Sequence, residues 1–201
     1  MVPGERGAAL IDHLVYAVPD LAELGDLGID LTEGGRHVGR GTRNLLANLG
    51  GGAYFEVIGP DRDQPEPGVP RPFGIDELTE PKLVTWAARV EDIDDVVERA
   101  KARGYDPGPV AAMSRKRADG VLLEWRHTPM VPSPLPFLVD WGTTPHPADS
   151  LPTGAELVSF RIQGDGLDAA LKALDIDVAV EAGPPGLTAT IRTPKGEVVI
   201  R

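Results

Sequence analysis

The pattern of apolar and polar positions along the chain repeats three times. A strand-like alternation over residues 10–18 stops at Pro19 and is followed by Asp20, a residue type that caps helices. A similar phrase begins at Val84, and a weaker one begins at Leu157. Each phrase is followed by a helix-like segment and then by strand-like runs, so the chain is predicted to contain repeated units.

The first unit, about residues 10–60, is predicted to run strand, helix and three strands. Its helix carries an apolar stripe of leucines, but Gly25 and Gly28 limit its length. Strands are predicted over residues 44–49 and 53–58, on either side of a triple-glycine turn. The Pro-rich segment that follows the unit is typical of an exposed linker.

The second unit, about residues 82–142, contains the most clearly patterned helix of the chain. Either Asp92 or Asp94 caps it, and its apolar residues fall on one face. Three strands are predicted after this helix, at residues 110–117, 121–127 and 137–141.

A third and shorter unit of the same βαβββ kind is predicted at about residues 153–201. Its place in the repeat that corresponds to His13 holds Leu157, and its closing hairpin has no cluster of polar residues. It is therefore interpreted as a structural cap over a sheet edge. Residues 1–9 are predicted to be a loose tail. The fold class predicted is α+β, with one domain at 10–147 and the C-terminal unit after it.

Composition narrows the range of functions. The chain has 201 residues, no cysteine and a net charge of −11, so disulfides and thiolate metal sites are absent and nucleic acid is a disfavoured partner. No apolar run has the length of a signal peptide or a membrane span. We expect a cytoplasmic protein whose partner is a small molecule, not a nucleic acid or a membrane; a homodimer stays open.

The order of several short motifs resembles that of the vicinal oxygen chelate superfamily, and within it the glyoxalase-like domain proteins. The superfamily also includes glyoxalase I, extradiol dioxygenases and bleomycin-resistance proteins. The motifs that carry the resemblance are Asp12-His13-Leu14-Val15-Tyr16, the segment from His37 to Asn44, Tyr54-Phe55-Glu56-Val57-Ile58-Gly59-Pro60, Ser114-Arg115, Asp119-Gly120 and the segment from Pro136 to Gly142.

This resemblance implies that the two longer units form half-open curled sheets around a cavity for a divalent metal and a substrate. In such proteins each unit supplies two metal ligands, and His13 and Glu56 match the two positions of the first unit. The second unit has Thr85 at the place that matches His13, and the place that matches Glu56 is near Val139, with Asp140 next to it. Threonine is a poor ligand and valine is none. The ligand set is thus incomplete: zinc, iron, manganese or nickel could bind, or no metal at all.

His13 and Glu56 also draw attention without the resemblance, because each interrupts an apolar strand. A buried carboxylate is costly unless it is paired or binds a metal. Together the two residues could bind a metal or act as a catalytic acid and base. The alternative for His13 is a buried histidine that is hydrogen-bonded within the core.

Further polar residues near these strands are candidates for substrate binding. His37 could complete a set of two histidines and one carboxylate, which suits non-haem iron, or it could be an exposed loop histidine. Arg115 could clamp a carboxylate or phosphate, or lie on a solvated hairpin. The remaining candidates, each with an ordinary structural alternative, are Thr42, Asn44, Asp140 and Trp141. His127 and His146 are expected at the surface.

Two functions follow as hypotheses. The first is a small-molecule enzyme of the glyoxalase-like kind, a lyase, isomerase or dioxygenase, that acts on an oxygen-bearing substrate such as an α-hydroxy carbonyl or a catechol-like ring. The second is a metal-free protein that binds or sequesters a small molecule, as the resistance proteins of the superfamily do. The polar pair at His13 and Glu56 favours the first, and the missing ligands of the second unit favour the second.

Overall fold

Two units of similar topology close into one eight-stranded barrel. The computed structural model describes residues 10–117 and 119–201; the predicted loose tail at 1–9 lies outside them. The first unit contains β1 (Leu10–Ala17), β2 (Thr32–His37), β3 (Thr42–Gly50) and β4 (Ala53–Pro60). The second contains β5 (Lys82–Arg89), α1 (Ile93–Ala102), β6 (Ala111–Lys116), β7 (Leu122–His127) and β8 (Phe137–Asp140).

The strand order around the barrel is β1-β4-β3-β2-β6-β7-β8-β5. Inside each unit the first and last strands run parallel, β1 with β4 and β5 with β8. The units meet at both edges through antiparallel pairs, β1 with β5 and β2 with β6. The predicted α+β fold of paired modules is confirmed, and the two curled sheets join into a closed barrel with no free edge.

The prediction of a helix after β1 was wrong in the length of that helix. Only a short 3-10 helix forms at Leu21–Glu23, and the Asp20 side chain accepts the backbone N–H of Ala22 at its start. Gly25 and Gly28 follow within two turns, where their backbone freedom disfavours a longer helix. In the second unit α1 forms as predicted, with Asp92 as its cap.

The barrel has an apolar interior and a separate apolar exterior. Strand alternation sends successive side chains to opposite sides, so Val15 and Val139 face inward while Leu14 and Leu138 face outward. α1 covers part of the outer face through Ile93, which is fully buried. The inner face surrounds the cavity described below.

The third unit packs on this outer face. It consists of β9 (Glu156–Gln163), α2 (Leu167–Ala173), β10 (Val180–Glu181), β11 (Gly186–Thr193) and β12 (Gly196–Ile200). Its sheet has the order β10-β9-β11-β12, and it shares one apolar core with the barrel exterior. The predicted boundary between a domain at 10–147 and the C-terminal unit stays a prediction.

No helix of the described residues has the length and apolarity needed to cross a bilayer.

The Pro-rich segment after the first unit is more than a linker. Pro72–Glu77 forms a short 3-10 helix that places Phe73 and Ile75 in the barrel interior, where each is at most 3% exposed. The Phe73 backbone N–H donates to the Met130 carbonyl at 2.9 Å and fixes the segment. The expectation of an exposed linker over 61–81 was therefore wrong for these residues, because two large apolar side chains gain by burial.

Candidate functional site

His13 lies inside the barrel and is held by its neighbour in sequence. The register between β1 and β5 shifts between Ile11 and His13, and this irregularity lets the Asp12 carboxylate reach the His13 ring. His13 Nδ1 is 2.6 Å from Asp12 Oδ1, and both residues are at most 5% exposed. Since an ionised carboxylate can only accept, Nδ1 carries the proton, and Nε2 faces Glu56 Oε2 at 3.7 Å.

Asp12 gathers three hydrogen-bond donors around one buried carboxylate. Besides His13, its Oδ2 accepts from the Trp141 indole at 3.1 Å and from His146 Nε2 at 2.9 Å. Burial alone would raise the pKa of Asp12, but the hydrogen bonds from His13 and His146 outweigh burial and hold that pKa well below its usual range. Asp12 therefore stays ionised and fixes the orientation of His13.

His37 ends β2 and points into the same interior. Its Nδ1 is 3.1 Å from Thr42 Oγ1, and its Nε2 is 3.8 Å from Glu56 Oε1. Burial, and then the nearby Arg115 charge, lower the pKa of His37 to about 3, so the ring is neutral at neutral pH. The alternative of an exposed loop histidine was wrong: β2 forms through the glycine-rich segment and leaves His37 3% exposed.

Glu56, Asn44 and Arg115 form a chain of polar groups across the interior. Asn44 Nδ2 donates to Glu56 Oε1 at 2.5 Å, and Arg115 Nη1 donates to Asn44 Oδ1 at 3.5 Å. All three side chains are nearly inaccessible, at 4%, 2% and 3% exposed. Arg115 is thus no part of a solvated hairpin, and burial lowers its pKa. His37 and Arg115 are register partners on β2 and β6.

These groups line one cavity, in which the space not filled by protein atoms, part of it open to solvent, is about 370 Å³. Tyr54 stacks on the His13 ring at 4.5 Å between centroids. Burial and the charges of Asp12 and Glu56 raise the pKa of Tyr54, so its phenol stays protonated. The rest of the lining is mostly apolar: Ile58, Phe73, Met113, Trp125, Met130, Phe137 and Trp141.

Most of the predicted site residues converge, and Asp140 does not. His13, His37, Asn44, Glu56, Arg115 and Trp141 line the cavity, while Thr42 lies just behind His37. Asp140 follows the inward-facing Val139 and so points outward, where it accepts the backbone N–H groups of Ile93 at 3.2 Å and Gly142 at 2.8 Å. Its role is to hold the start of α1 and the turn after β8.

Three residues near the site were missed or misplaced by the sequence analysis. Asp12 was passed over, although a second polar residue beside His13 in an apolar strand is an available signal. His146 and His127 were expected at the surface, yet the His146 side chain is 9% exposed and His127 is 5% exposed. His146 is buried by contacts with Asp12 and Tyr54, which are distant in sequence, and local sequence does not encode such contacts.

The second unit presents no equivalent of the polar pair. In the strand register Phe137 holds the place that matches Glu56, because Glu56 pairs with Val15 and Phe137 pairs with Ala87. The next inward position of β8 is Val139, and Ala87 lies opposite His13 across the β1–β5 pair. Thr85 is buried, and its hydroxyl donates to the Leu135 carbonyl at 3.4 Å. The cavity therefore takes its acid–base groups from the first unit.

The residue types at this site suit a divalent metal, but the distances between their atoms are longer than those between ligands of one ion. Both imidazole Nε2 atoms and the Glu56 carboxylate are suitable ligands, and both Nδ1 atoms already have partners. Ligand atoms on one ion lie about 3.0–3.4 Å apart at usual bond lengths, whereas each Nε2 lies 3.7 or 3.8 Å from Glu56. Among residues 10–117 and 119–201 no group of three or more His, Cys, Asp and Glu is arranged to hold an ion.

Comparison with known proteins gives one family match. A family profile described as a glyoxalase-like domain matches residues 11–176, most of the chain. A search of curated protein sequences found no match.

Among solved structures, a hypothetical protein from Staphylococcus aureus superposes with a TM-score of 0.62 at 15% identity, over 94% of this chain and 83% of that one. It shares the fold. Methylmalonyl-CoA epimerase from Mycobacterium tuberculosis matches with a TM-score of 0.40 at 20% identity, over 71% of this chain and 93% of that one. A catechol 2,3-dioxygenase matches with a TM-score of 0.40 at 13% identity, over 96% and 64%.

Proposed function

The chain belongs to the glyoxalase-like domain family, and from that premise we propose that it is an enzyme that moves a proton on a small, oxygen-bearing substrate, as an isomerase or lyase does. The observation that carries this proposal is the His13–Glu56 pair. Two groups that can accept a proton face one cavity, 3.7 Å apart, and the Asp12 carboxylate fixes the orientation of His13 through its Nδ1. A base oriented by a third group is a recurring arrangement in acid–base catalysis.

Each residue has a distinct part in this proposal. Glu56 takes a proton from a carbon next to a carbonyl group, and the Asn44 amide holds one of its oxygens in place at 2.5 Å. His13 Nε2 receives or returns a proton on the same side of the substrate, and the Asp12 carboxylate stabilises the imidazolium that forms. His37 is neutral at neutral pH, so it brings no positive charge that would pair with the Glu56 carboxylate.

The test is hydrogen exchange at carbon, followed by proton NMR in D₂O. Hydroxyacetone, pyruvate and hydroxypyruvate serve as probes, since each has hydrogens next to a carbonyl. The wild-type protein should exchange at least one of them faster than buffer does. Glu56→Gln keeps the size of the side chain and removes its charge, so the exchange rate should fall at least ~100-fold.

Glu124→Gln is the matched control, because Glu124 lies on the exposed side of β7. It should exchange the probe at the wild-type rate. If the wild-type protein exchanges none of the probes yet binds one of them, the protein is a small-molecule binding protein and the proton-transfer proposal is wrong.

A metal-dependent enzyme is the second candidate, and the donor set favours it. Two imidazoles whose Nδ1 atoms are already hydrogen-bonded present both Nε2 atoms to one carboxylate. His13, His37 and Glu56 would hold the ion, which would polarise a substrate oxygen. Elemental analysis of protein purified without chelators or an affinity tag tests this. About one equivalent of a single metal that is lost in His37→Gln supports it, and a wild-type content far below one equivalent contradicts it.

A further inference from the structure

Arg115 is a buried cation without a carboxylate partner. In the part of the chain that the structure describes, its guanidinium has one side-chain hydrogen bond, a long one of 3.5 Å to the neutral Asn44 amide, and it takes part in no ion pair. At 3% exposure such a charge is costly, because it has lost most of its water without gaining an anion. A group of this kind is explained by a negatively charged ligand.

The nearest negative charge in the cavity, Glu56, is kept away from Arg115. The Asn44 side chain stands between them: its oxygen accepts from Arg115 and its nitrogen donates to Glu56. Only this orientation of the amide gives both neighbours a suitable partner. As a result the two charges do not neutralise each other, and one amide group separates a free guanidinium from a free carboxylate.

The backbone makes room for this arrangement at Gly34. A Cβ on residue 34 would lie 2.1 Å from Asn44 Oδ1 and 2.7 Å from Arg115 Nη1. Both distances are shorter than a Cβ atom can approach a non-bonded oxygen or nitrogen. A side chain at this position would therefore displace the guanidinium or the amide, so the glycine provides the space that the two groups occupy.

Arg115 also lies where a ligand could reach it. It lines the interior cavity together with Glu56 and His13, and it lines a second cavity beside Gly34 and His146. Because Arg115 lines both cavities and has one side-chain hydrogen bond among the described residues, other N–H donors of the guanidinium are left for a ligand. Such a planar group binds a carboxylate through two parallel hydrogen bonds.

We infer that Arg115 is the carboxylate subsite and that the substrates are small monocarboxylic acids with an oxygen on the second carbon, that is, 2-hydroxy or 2-oxo acids. With the carboxylate on Arg115, the short span bridged by Asn44 brings the second or third carbon of the acid to Glu56 and His13. The identity of the reacting carbon rests on the proposed function. The binding of the carboxylate does not.

The test measures binding through intrinsic fluorescence, since two of the three tryptophans, Trp125 and Trp141, line the cavity. Glycolate is the probe, and glycolamide, which has the same shape and no charge, is its control. Glycolate should bind at least ~10-fold more tightly than glycolamide. Arg115→Met should remove this preference, and Arg115→Lys should weaken glycolate binding several-fold, because lysine keeps the charge and loses the planar fork.

Arg126→Met is the control variant. Arg126 lies on the exposed face of β7 and pairs with Asp94, so its loss should leave glycolate binding unchanged. Thermal unfolding of ligand-free Arg115→Met separates a ligand-binding role from a structural one. Removing an unpaired buried charge should leave the melting temperature unchanged or raise it, whereas a structural arginine would lower it.

Several outcomes would overturn the inference. These are equal affinity for glycolate and glycolamide, unchanged glycolate binding in Arg115→Met or Arg115→Lys, no fluorescence change at any glycolate concentration, or tighter binding of inorganic phosphate than of glycolate. Glu56→Gln separates this test from that of the proposed function. It should slow exchange at carbon at least ~100-fold and still bind glycolate, so failure of one proposal is visible without failure of the other.

Discussion

The two halves of the barrel have the same strand order, but the side chains that they direct inward are polar in one half and mostly apolar in the other. The first unit directs polar side chains inward, namely Asp12, His13, His37, Asn44 and Glu56. The second directs mostly apolar ones inward, namely Met113, Trp125, Phe137, Val139 and Trp141, with Arg115 as its one charged group on the cavity. Because the second unit forms the same strands without the polar pair, the fold does not require it. We conclude that the first unit carries the chemistry and that the second shapes the space.

The largest expected effect comes from substituting the two acid–base residues of the first unit. His13→Gln and Glu56→Gln should each lower exchange at carbon by about 10²–10⁴-fold, and the double variant should lose little more, since members of one site do not act additively. NMR exchange rates of the four proteins give the coupling between the two residues. If the fold-losses in exchange rate of the two single variants multiply in the double variant, the two residues do not act as a unit.

A carboxylate placed inside the second unit tests whether the apolar half tolerates a charged group. Val139→Glu puts a charge on the inward face of β8, beside its register partner His127. His127 Nδ1 donates its proton to the Thr128 carbonyl, so the neutral ring has no donor left for a carboxylate. We expect a loss of about 3 kcal/mol in the free energy of unfolding, measured with urea, against less than about 1 kcal/mol for the conservative Glu56→Gln. A Val139→Glu protein as stable as the wild type would mean that both halves accept polar groups equally.

Acid should affect the first unit through His37. Its pKa is about 3 in the folded protein and about 6.5 when unfolded, so below pH 6.5 the unfolded state binds the extra proton and stability falls as pH falls toward 3. This contributes a loss of about 2 kcal/mol between pH 7 and pH 5. Urea unfolding at both values should show a correspondingly smaller pH dependence in His37→Gln.

His127 of the second unit provides the comparison for that measurement. Burial lowers its pKa as well, without a shift of the size seen for His37. His127→Gln should therefore reduce the acid dependence by less than His37→Gln does. The reverse order would assign the acid-sensitive group to the second unit.

The smallest expected effect concerns the amide that separates the two charges. Asn44→Asp has nearly the same shape, but it would pair with Arg115 and repel Glu56. Glycolate affinity should fall about 10-fold, because the new carboxylate occupies the guanidinium. Unchanged affinity would show that Asn44 does not control the charge on Arg115.

The sequence predicted those parts of the fold and site that depend on local pattern. The helix capped by Asp92 and the polar interruptions at His13 and Glu56 are visible in a strand or helix by itself. The short 3-10 helix in place of the first helix reflects Gly25 and Gly28, whose effect was noticed and underestimated. The burial of His146 depends on contacts between residues more than 130 positions apart. Such contacts follow from how the strands and loops pack together, which a periodic pattern does not specify.

The hydrogen bond from His146 to Asp12 bears on how a site like this can be inherited. His146 lies in neither of the two barrel units but in the segment that leads to the third, and it is one of three donors on the carboxylate that orients His13. A duplicate of the first unit, placed where the second unit now lies, would bring its own histidine and carboxylate and would lack this donor. Copying the repeat would thus not copy the site, and the two halves are no longer interchangeable.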